Sequence, residues 1–329
     1  MRRREFITLV GGAVAWPLMA RAQQAERVRR IGMLIPNFAL TDREGQARVA
    51  AFLDTLRRLG WVEGRNVEIA YRFGAGTADR GMAAAEELVR STPDVIVGVT
   101  NTAIAELLRL TNTSPIVFIQ VGDPMGSGFV AGLARPGGNI TGFQSIEPSM
   151  GGKWLGVLKE AAPNVGRVAV LFISKQSNNV AMLHAAEAGA PSLGIRITAV
   201  DVLGGVEIER AIATFANEPD GGLIVAPNPY TVANRGLIFS LAARYRLPAV
   251  YPDRYFATEG GLMSYGPNQI DQWRGAATYV DRILRGEKPG ELPVQGPIKF
   301  ELVVNLKTAR ALGLNIPPAF PLRADEVIE

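Results

Sequence analysis

The side chains from which catalytic sites are usually built are scarce in this chain. Its 329 residues include one histidine, His184, and no cysteine. That excludes disulfides, thiol nucleophiles, thiolate metal sites and a lipid-modified cysteine. It also leaves the common histidine-centred metal and triad designs without material. His184 lies in V-A-M-L-H-A-A-E, mid-helix by its composition, and reads as a surface or boundary residue rather than a general base. Gly126-Ser127-Gly128 does not satisfy the G-x-S-x-G of a nucleophile elbow. Gly74-Ala75-Gly76 opens like a dinucleotide fingerprint, but Asp79 holds the third glycine position and the loop follows a second strand, so a tight turn is the better reading. No phosphate-binding loop is present. No catalytic residue, cofactor or metal is expected.

Polar side chains where strands should end are more informative. The loops that follow the expected strands carry Asn37 and Phe38; Thr100, Asn101 and Thr102; Asp123 and Pro124; Ser174 and Asn178; Asn228 and Tyr230; Asp253; and Tyr265. In open α/β sheets, ligands sit outside the carboxyl ends of the strands. Amides and hydroxyls there can orient a small polar ligand, while Phe38 and Tyr230 offer apolar faces. Thr100-Asn101-Thr102 opens a helix whose free N–H groups could hold a carboxylate, and Asp123 or Asp253 could meet an ammonium. Each has a structural alternative. Thr100, Asn101 and Asp123 are good helix caps, with Pro124 suited to a first helical position. Residues 177–179 can cap a helix, Asn228-Pro229-Tyr230 is a turn signature, and Tyr265 suits a core or hinge.

These residues need a scaffold, and the hydrophobic pattern supplies one. Short apolar runs at 30–36, 66–73, 93–98 and 116–121 read as strands, with helices over 42–60, from Thr77 or Asp79 to about 90, and 101–110. Residues 129–134 read as one or two helical turns, stopped by Arg135-Pro136-Gly137-Gly138-Asn139. The order then restarts: helices over 150–161, 180–193, 206–216 and 231–245, with strands at 167–173, 195–200, 222–225, 249–251 and 261–265. A helix over 270–285, a strand at 299–305 and a helix at 306–312 come last. Strands alternating with helices indicate parallel sheets with helices on both faces. The late elements imply that the chain crosses back between two halves, which makes a hinge, with 135–143 as the first crossing.

Composition sets further bounds. With 47% hydrophobic and 20% charged residues, the chain is an ordinary globular protein long enough for two units. Of its +4 net charge, residues 1–22 carry +3, leaving +1 for the body and no reason to expect a nucleic-acid partner. Those 22 residues read as an export leader: basic Arg2-Arg3-Arg4, an apolar stretch over 7–20 too short and glycine-rich to span a membrane well, and Ala20-Arg21-Ala22 for cleavage. Arg3-Arg4-x-Phe6 partly matches a twin-arginine signal. The destination implied is the soluble periplasm.

Three blocks then point to a family. V-G-D-P-M-G-S-G-F-V-A-G-L-A-R-P-G-G-N-I-T-G at 121–142, G-G-L-M-S-Y-G at 260–266 and K-F-E-L-V-V-N-L-K-T-A-R-A-L-G-L at 299–314, with the closing A-D-E-V-I-E, resemble the ABC transporter substrate-binding proteins of the tryptophan/tyrosine-binding type. The resemblance covers nearly the whole mature chain. It implies the type I periplasmic-binding fold: two Rossmann-like lobes, 28–143 with about 266–295 and 144–265 with about 296–329, joined by three hinge crossovers and closing on a ligand between them. It implies a monomer that delivers a small ligand, an aromatic or other amino acid or a small carboxylate, to a membrane permease powered by an ATPase subunit. A ligand-sensing subunit for a membrane receptor and a Rossmann-like enzyme are the alternative functions.

Overall fold

A computed structural model describes residues 27–36, 43–73 and 78–329. The expected export leader, Asn37, Phe38 and the Gly74-Ala75-Gly76 turn lie outside the described residues.

The first sheet is built from β1 (Arg29–Ile35), β2 (Val67–Phe73), β3 (Val95–Val99), β4 (Ile116–Val121) and β5 (Ile140–Gln144) in the order β2-β1-β3-β4-β5. All its pairings are parallel. Helices α1 (Arg43–Arg58), α2 (Ala78–Arg90) and α3 (Thr100–Leu110) are the crossovers between its strands. The apolar runs of β3 and β4 lie in the middle of this sheet and are buried on both faces, as continuous hydrophobic strands should be.

The second sheet has seven strands: β6 (Arg167–Phe172), β7 (Arg196–Asp201), β8 (Gly221–Val225), β9 (Ala249–Tyr251), β10 (Met263–Pro267), β11 (Phe300–Asn305) and β12 (Glu326–Ile328). Their order is β12-β11-β10-β9-β8-β6-β7, parallel except for the β10–β11 pair. Around it lie α4 (Met150–Ala161), α5 (Ser177–Gly189), α6 (Gly205–Phe215), α7 (Pro229–Ala233), α8 (Arg235–Arg244), α9 (Arg254–Thr258) and α11 (Leu306–Ala311).

The remaining helix, α10 (Gln269–Leu284), leaves β10 of the second sheet and packs on the first. Its buried face carries Trp273, Ala276, Ala277 and Val280 against Phe52 of α1 and the strands behind. The Trp273 and Phe52 rings meet edge to face at 6.4 Å. After α10 the chain stays with the first sheet, where the Gln144 N–H donates to the Gln295 carbonyl at 2.8 Å and the Gln295 N–H to that of Gly142 at 2.9 Å. It then returns to the second sheet as β11. The chain thus crosses between sheets three times: after Gln144, between Pro267 and Gln269, and after Gln295. The Gln272 side-chain amide donates to the Gln144 carbonyl at 2.7 Å, tying the second crossing to the first.

Several expectations are corrected. Residues 129–134 are bends and irregular chain, not helix, and follow turns at 124–128, because Gly126, Gly128, Gly132 and Pro136 leave too few helix-favouring positions to nucleate one. Asp123 therefore caps no helix: its carboxylate Oδ1 accepts from the Gly126 N–H at 2.8 Å and closes a turn. Residues 140–144 are a strand of the first sheet, so the first crossing begins after them. Gly142 makes that pairing feasible, since a Cβ there would meet the Phe118 carbonyl at 2.1 Å. The helix expected at 231–245 breaks at Asn234 into α7 and α8. That expected at 180–193 starts earlier and ends at Gly189, with Pro191 opening a separate turn of 3₁₀ helix.

Candidate functional site

The carboxyl ends of both sheets face a cleft of about 860 Å³, within the usual range for small-molecule sites. Glu44, Arg48, Thr100, Asn101, Thr102, Gln120, Gly122 and Ser127 line it from the first unit. Residues 175–178, Pro227, Asn228, Val232, Arg235, Asp253, Tyr255 and Glu259 line it from the second, with Ser145, Ile146, Pro267 and Gln269 at the crossings. Among the described residues, no group of three or more His, Asp or Glu side chains is arranged to hold a metal ion.

On the first wall, α3 begins inside the cleft without a side-chain cap, so its first N–H groups have no partner within the helix. Thr100 stands there at φ 81°, a strained conformation for a β-branched residue. Asn101 braces the neighbouring loop: its side-chain amide donates to the Gly122 carbonyl at 2.8 Å and the Ser127 hydroxyl at 3.0 Å, and its oxygen accepts from the Gly122 N–H at 2.9 Å. Thr102 lines the cleft and is exposed. Asp123 and Pro124 are not among the lining residues. Instead, the Ser177 hydroxyl of α5 donates to Asp123 Oδ2 at 3.2 Å, a contact from one unit to the other. Beside it Gly122 faces Asn178, whose amide nitrogen would lie 2.7 Å from a Cβ at position 122.

On the second wall, polar groups are largely satisfied internally. Asn228 lines the cleft but caps α7, accepting from the Thr231 N–H at 2.9 Å while its amide donates to the Ala226 carbonyl at 3.2 Å. Asn179, fully buried, accepts from the Ile173 N–H and donates to the Pro227 carbonyl, tying two strand-end loops together. The Ser174 hydroxyl donates to Asp201 and does not line the cleft. That bond holds the Asp201 carboxyl below its ordinary value. Tyr230 is turned outward, 39% exposed and absent from the lining. Tyr265 packs towards the core, with its ring 6.0 Å from that of Phe300 and its carbonyl accepting from the Trp154 indole. Five of the expected residues thus have a structural role or position in place of a cleft contact: Asp123, Pro124, Ser174, Tyr230 and Tyr265.

Asp253 does line the cleft, and burial pushes its carboxyl pKa up. The Arg48 charge and a hydrogen bond from the Gln269 side-chain amide at 3.0 Å act in the opposite direction. Gln269 in turn accepts from the Gln120 side chain at 2.7 Å. A chain of three polar side chains therefore runs from β4 to the loop after β9, beside the second crossing. Burial likewise raises the Tyr255 hydroxyl.

The sequence reading missed Arg48, Gln120 and Gln269. Two had a visible signal. Gln120 interrupts an otherwise apolar strand, I-V-F-I-Q-V. Arg48 occupies the inward stripe of α1 with Gly45, Phe52 and Thr55, where an apolar residue is the usual occupant.

The family model for ABC transporter substrate binding protein matches residues 43–328. The chain belongs to this family. As a substrate-binding protein it is similar to a "Tyrosine-binding protein" of Clostridioides difficile, 21% identical over 266 residues, which cover 80% of this chain and 75% of that one. It is also similar to two solved structures. One is a conserved domain protein of Vibrio cholerae, 26% identical with a TM-score of 0.81, the match covering 92% of this chain and all of that one. The other is a domain from Streptococcus pneumoniae in complex with L-Trp, 23% identical with a TM-score of 0.81, covering 91% and 99%. The family and fold are those of substrate-binding proteins and not of enzymes.

Proposed function

We propose that this substrate-binding protein captures a small ligand, an aromatic or other amino acid, in the interlobe cleft, closes by hinge motion and delivers it in the periplasm to a permease coupled to an ATPase. The carrying observation is a cleft walled from both units and bridged across by Ser177 to Asp123 and by Gln269 to Asp253. A ligand that touches both walls favours the closed form by its differential affinity for it. The uncapped start of α3 suits the ligand carboxylate, and Asp253 suits its ammonium. The tyrosine-binding relative and the L-Trp complex support an amino acid. The packing of α10 on the first sheet supports lobes of 28–143 with about 266–295 and 144–265 with about 296–329. The leader over 1–22 supports export, and no helix among the described residues is long and apolar enough to cross a membrane.

A thermal-shift screen of L-amino acids and small organic acids tests the reading. At 100 times its Kd, a ligand specific for the folded state adds about 2.7 kcal/mol of stability. Compaction in solution scattering should accompany the shift. A screen without any shift or compaction would overturn the proposal.

A further inference from the structure

Arg48 is 6% exposed and lines the cleft, yet its guanidinium Nε has no hydrogen-bond partner. A buried cation is costly unless its donors are matched. Of the carboxylates that line the cleft, Asp253 accepts from Gln269 and Glu259 accepts from Arg235, and Arg48 acts on Asp253 through its charge and not through Nε. Helix α1 also aims this residue deliberately: positions 45, 48, 52 and 55 form one buried stripe, so Arg48 cannot swing to solvent without turning the helix. The start of α3 is a separate station on the same wall. Two groups of the first unit therefore seek oxygen acceptors, while Asp253 opposite seeks a donor.

We propose that Arg48 selects the ligand by its side chain: Nε donates to an oxygen at the end remote from the amino-acid head group. The inference rests on the amino-acid reading above and narrows it to amino acids whose side chain ends in a carboxylate, carbonyl or phenol oxygen. A hydrocarbon side chain leaves the donor unmatched. An indole N–H, which can only donate, leaves it unmatched too. A site built around such a group rejects the analogue that lacks it far more strongly than a pocket rejects a missing methylene.

Calorimetric titration of the mature chain with matched pairs provides the test: L-tyrosine against L-phenylalanine, and L-glutamine and L-glutamate against L-norvaline. The expected result is that at least one oxygen-bearing member binds about 10- to 100-fold more tightly than its apolar partner. In Arg48→Met that preference should fall to within about 3-fold, and Arg48→Lys, which keeps one donor without the planar fork, should lie between. Equal affinities within each pair for the wild-type chain, or a preference that survives Arg48→Met, overturn the assignment and leave the amino-acid reading standing. Failure of every amino acid to bind the wild-type chain overturns both. Should Arg48→Met not fold, the Arg48→Lys ratio decides: a preference unchanged from wild type counts against the assignment, a reduced one for it.

Discussion

On the first wall of the cleft, Thr100 and Gln120 stand at φ values of 81° and 58°, with Asp123 beside them at 44°. On the second, Asn228 at the cleft and the buried Asn179 behind it stand in ordinary extended or helical backbone and are fastened by hydrogen bonds to strand-end carbonyls and N–H groups. The second unit has its own positive-φ residues, Asp220 and Arg246, but neither lines the cleft. The two walls therefore reach rigidity by different routes. The first holds strained residues in place through surrounding structure, at a cost on the order of 1–3 kcal/mol each. The second spends its polar side chains on internal bonds. The contrast identifies the first wall as the one with donors left over for a ligand: the uncapped start of α3 and the Arg48 Nε.

Five substitutions probe the contrast. The largest effect is expected from Asn179→Ala, which leaves the Ile173 N–H and the Pro227 carbonyl unmatched in a fully buried site; it should lower unfolding stability by about 2–4 kcal/mol. Asn228→Ala, which removes the side-chain half of a capping box and two further bonds, to the Ala226 carbonyl and to Asn179, should cost about 1–2 kcal/mol. If denaturant melts show neither loss while affinity falls sharply, these residues are ligand contacts and the contrast fails. Next is Gly122→Val, which places a branched side chain where Asn178 approaches. It should weaken binding by about 1–3 kcal/mol with little change in the stability of the unliganded protein, read as calorimetric affinity beside a melt. An unchanged affinity would mean that the two rims do not meet in the bound state.

Thr100→Gly should act in the opposite direction. Relieving a positive φ stabilises, while glycine's freedom in the unfolded chain offsets part of the gain, so an increase of up to about 1 kcal/mol is expected. The same substitution should weaken ligand affinity, because the helix start loses its fixed orientation. A destabilised variant would show that the surroundings do not hold strain there.

The smallest effect is in pH dependence. Because burial raises the Asp253 carboxyl above its unfolded value, that group's contribution to stability is greatest in acid and is lost as pH rises through its folded pKa. Binding an ammonium needs the ionised form, so affinity should rise with pH over the same window. Asp253→Asn should flatten both trends, measured as melts and titrations from the acid side to neutrality. A wild-type affinity independent of pH there would remove Asp253 as the ammonium partner.

Much of the fold was legible in the chain. The apolar runs of β3, β4 and β6 and the helical stripe of α10 are strong periodic signals, and the late elements after 270 announced the return crossings. The stretch 121–143 was read less well. Its family resemblance was specific, but dense glycine and proline made local structure depend on contacts with residues 289–295, far along the chain, so turns and a fifth strand replaced the expected helix and hinge. The site was read half through. Thr100, Asn101, Thr102, Asn178, Asn228 and Asp253 do line the cleft, yet Asn101 and Asn228 are there as braces.

By itself the sequence determined the class of molecule. Alternating strands and helices of these lengths bury apolar surface only as layered α/β units, and a chain with one histidine and no cysteine offers few catalytic designs. Only the tertiary structure decided which polar side chain faces the cleft. Caps and contacts use the same residue types, Asn, Ser, Thr and Asp, and differ in whether the nearest unpaired backbone group lies within the same loop. Arg48, Gln120 and Gln269 reach the cleft from three segments that meet only when α10 crosses back to the first sheet, and no local pattern carries that geometry.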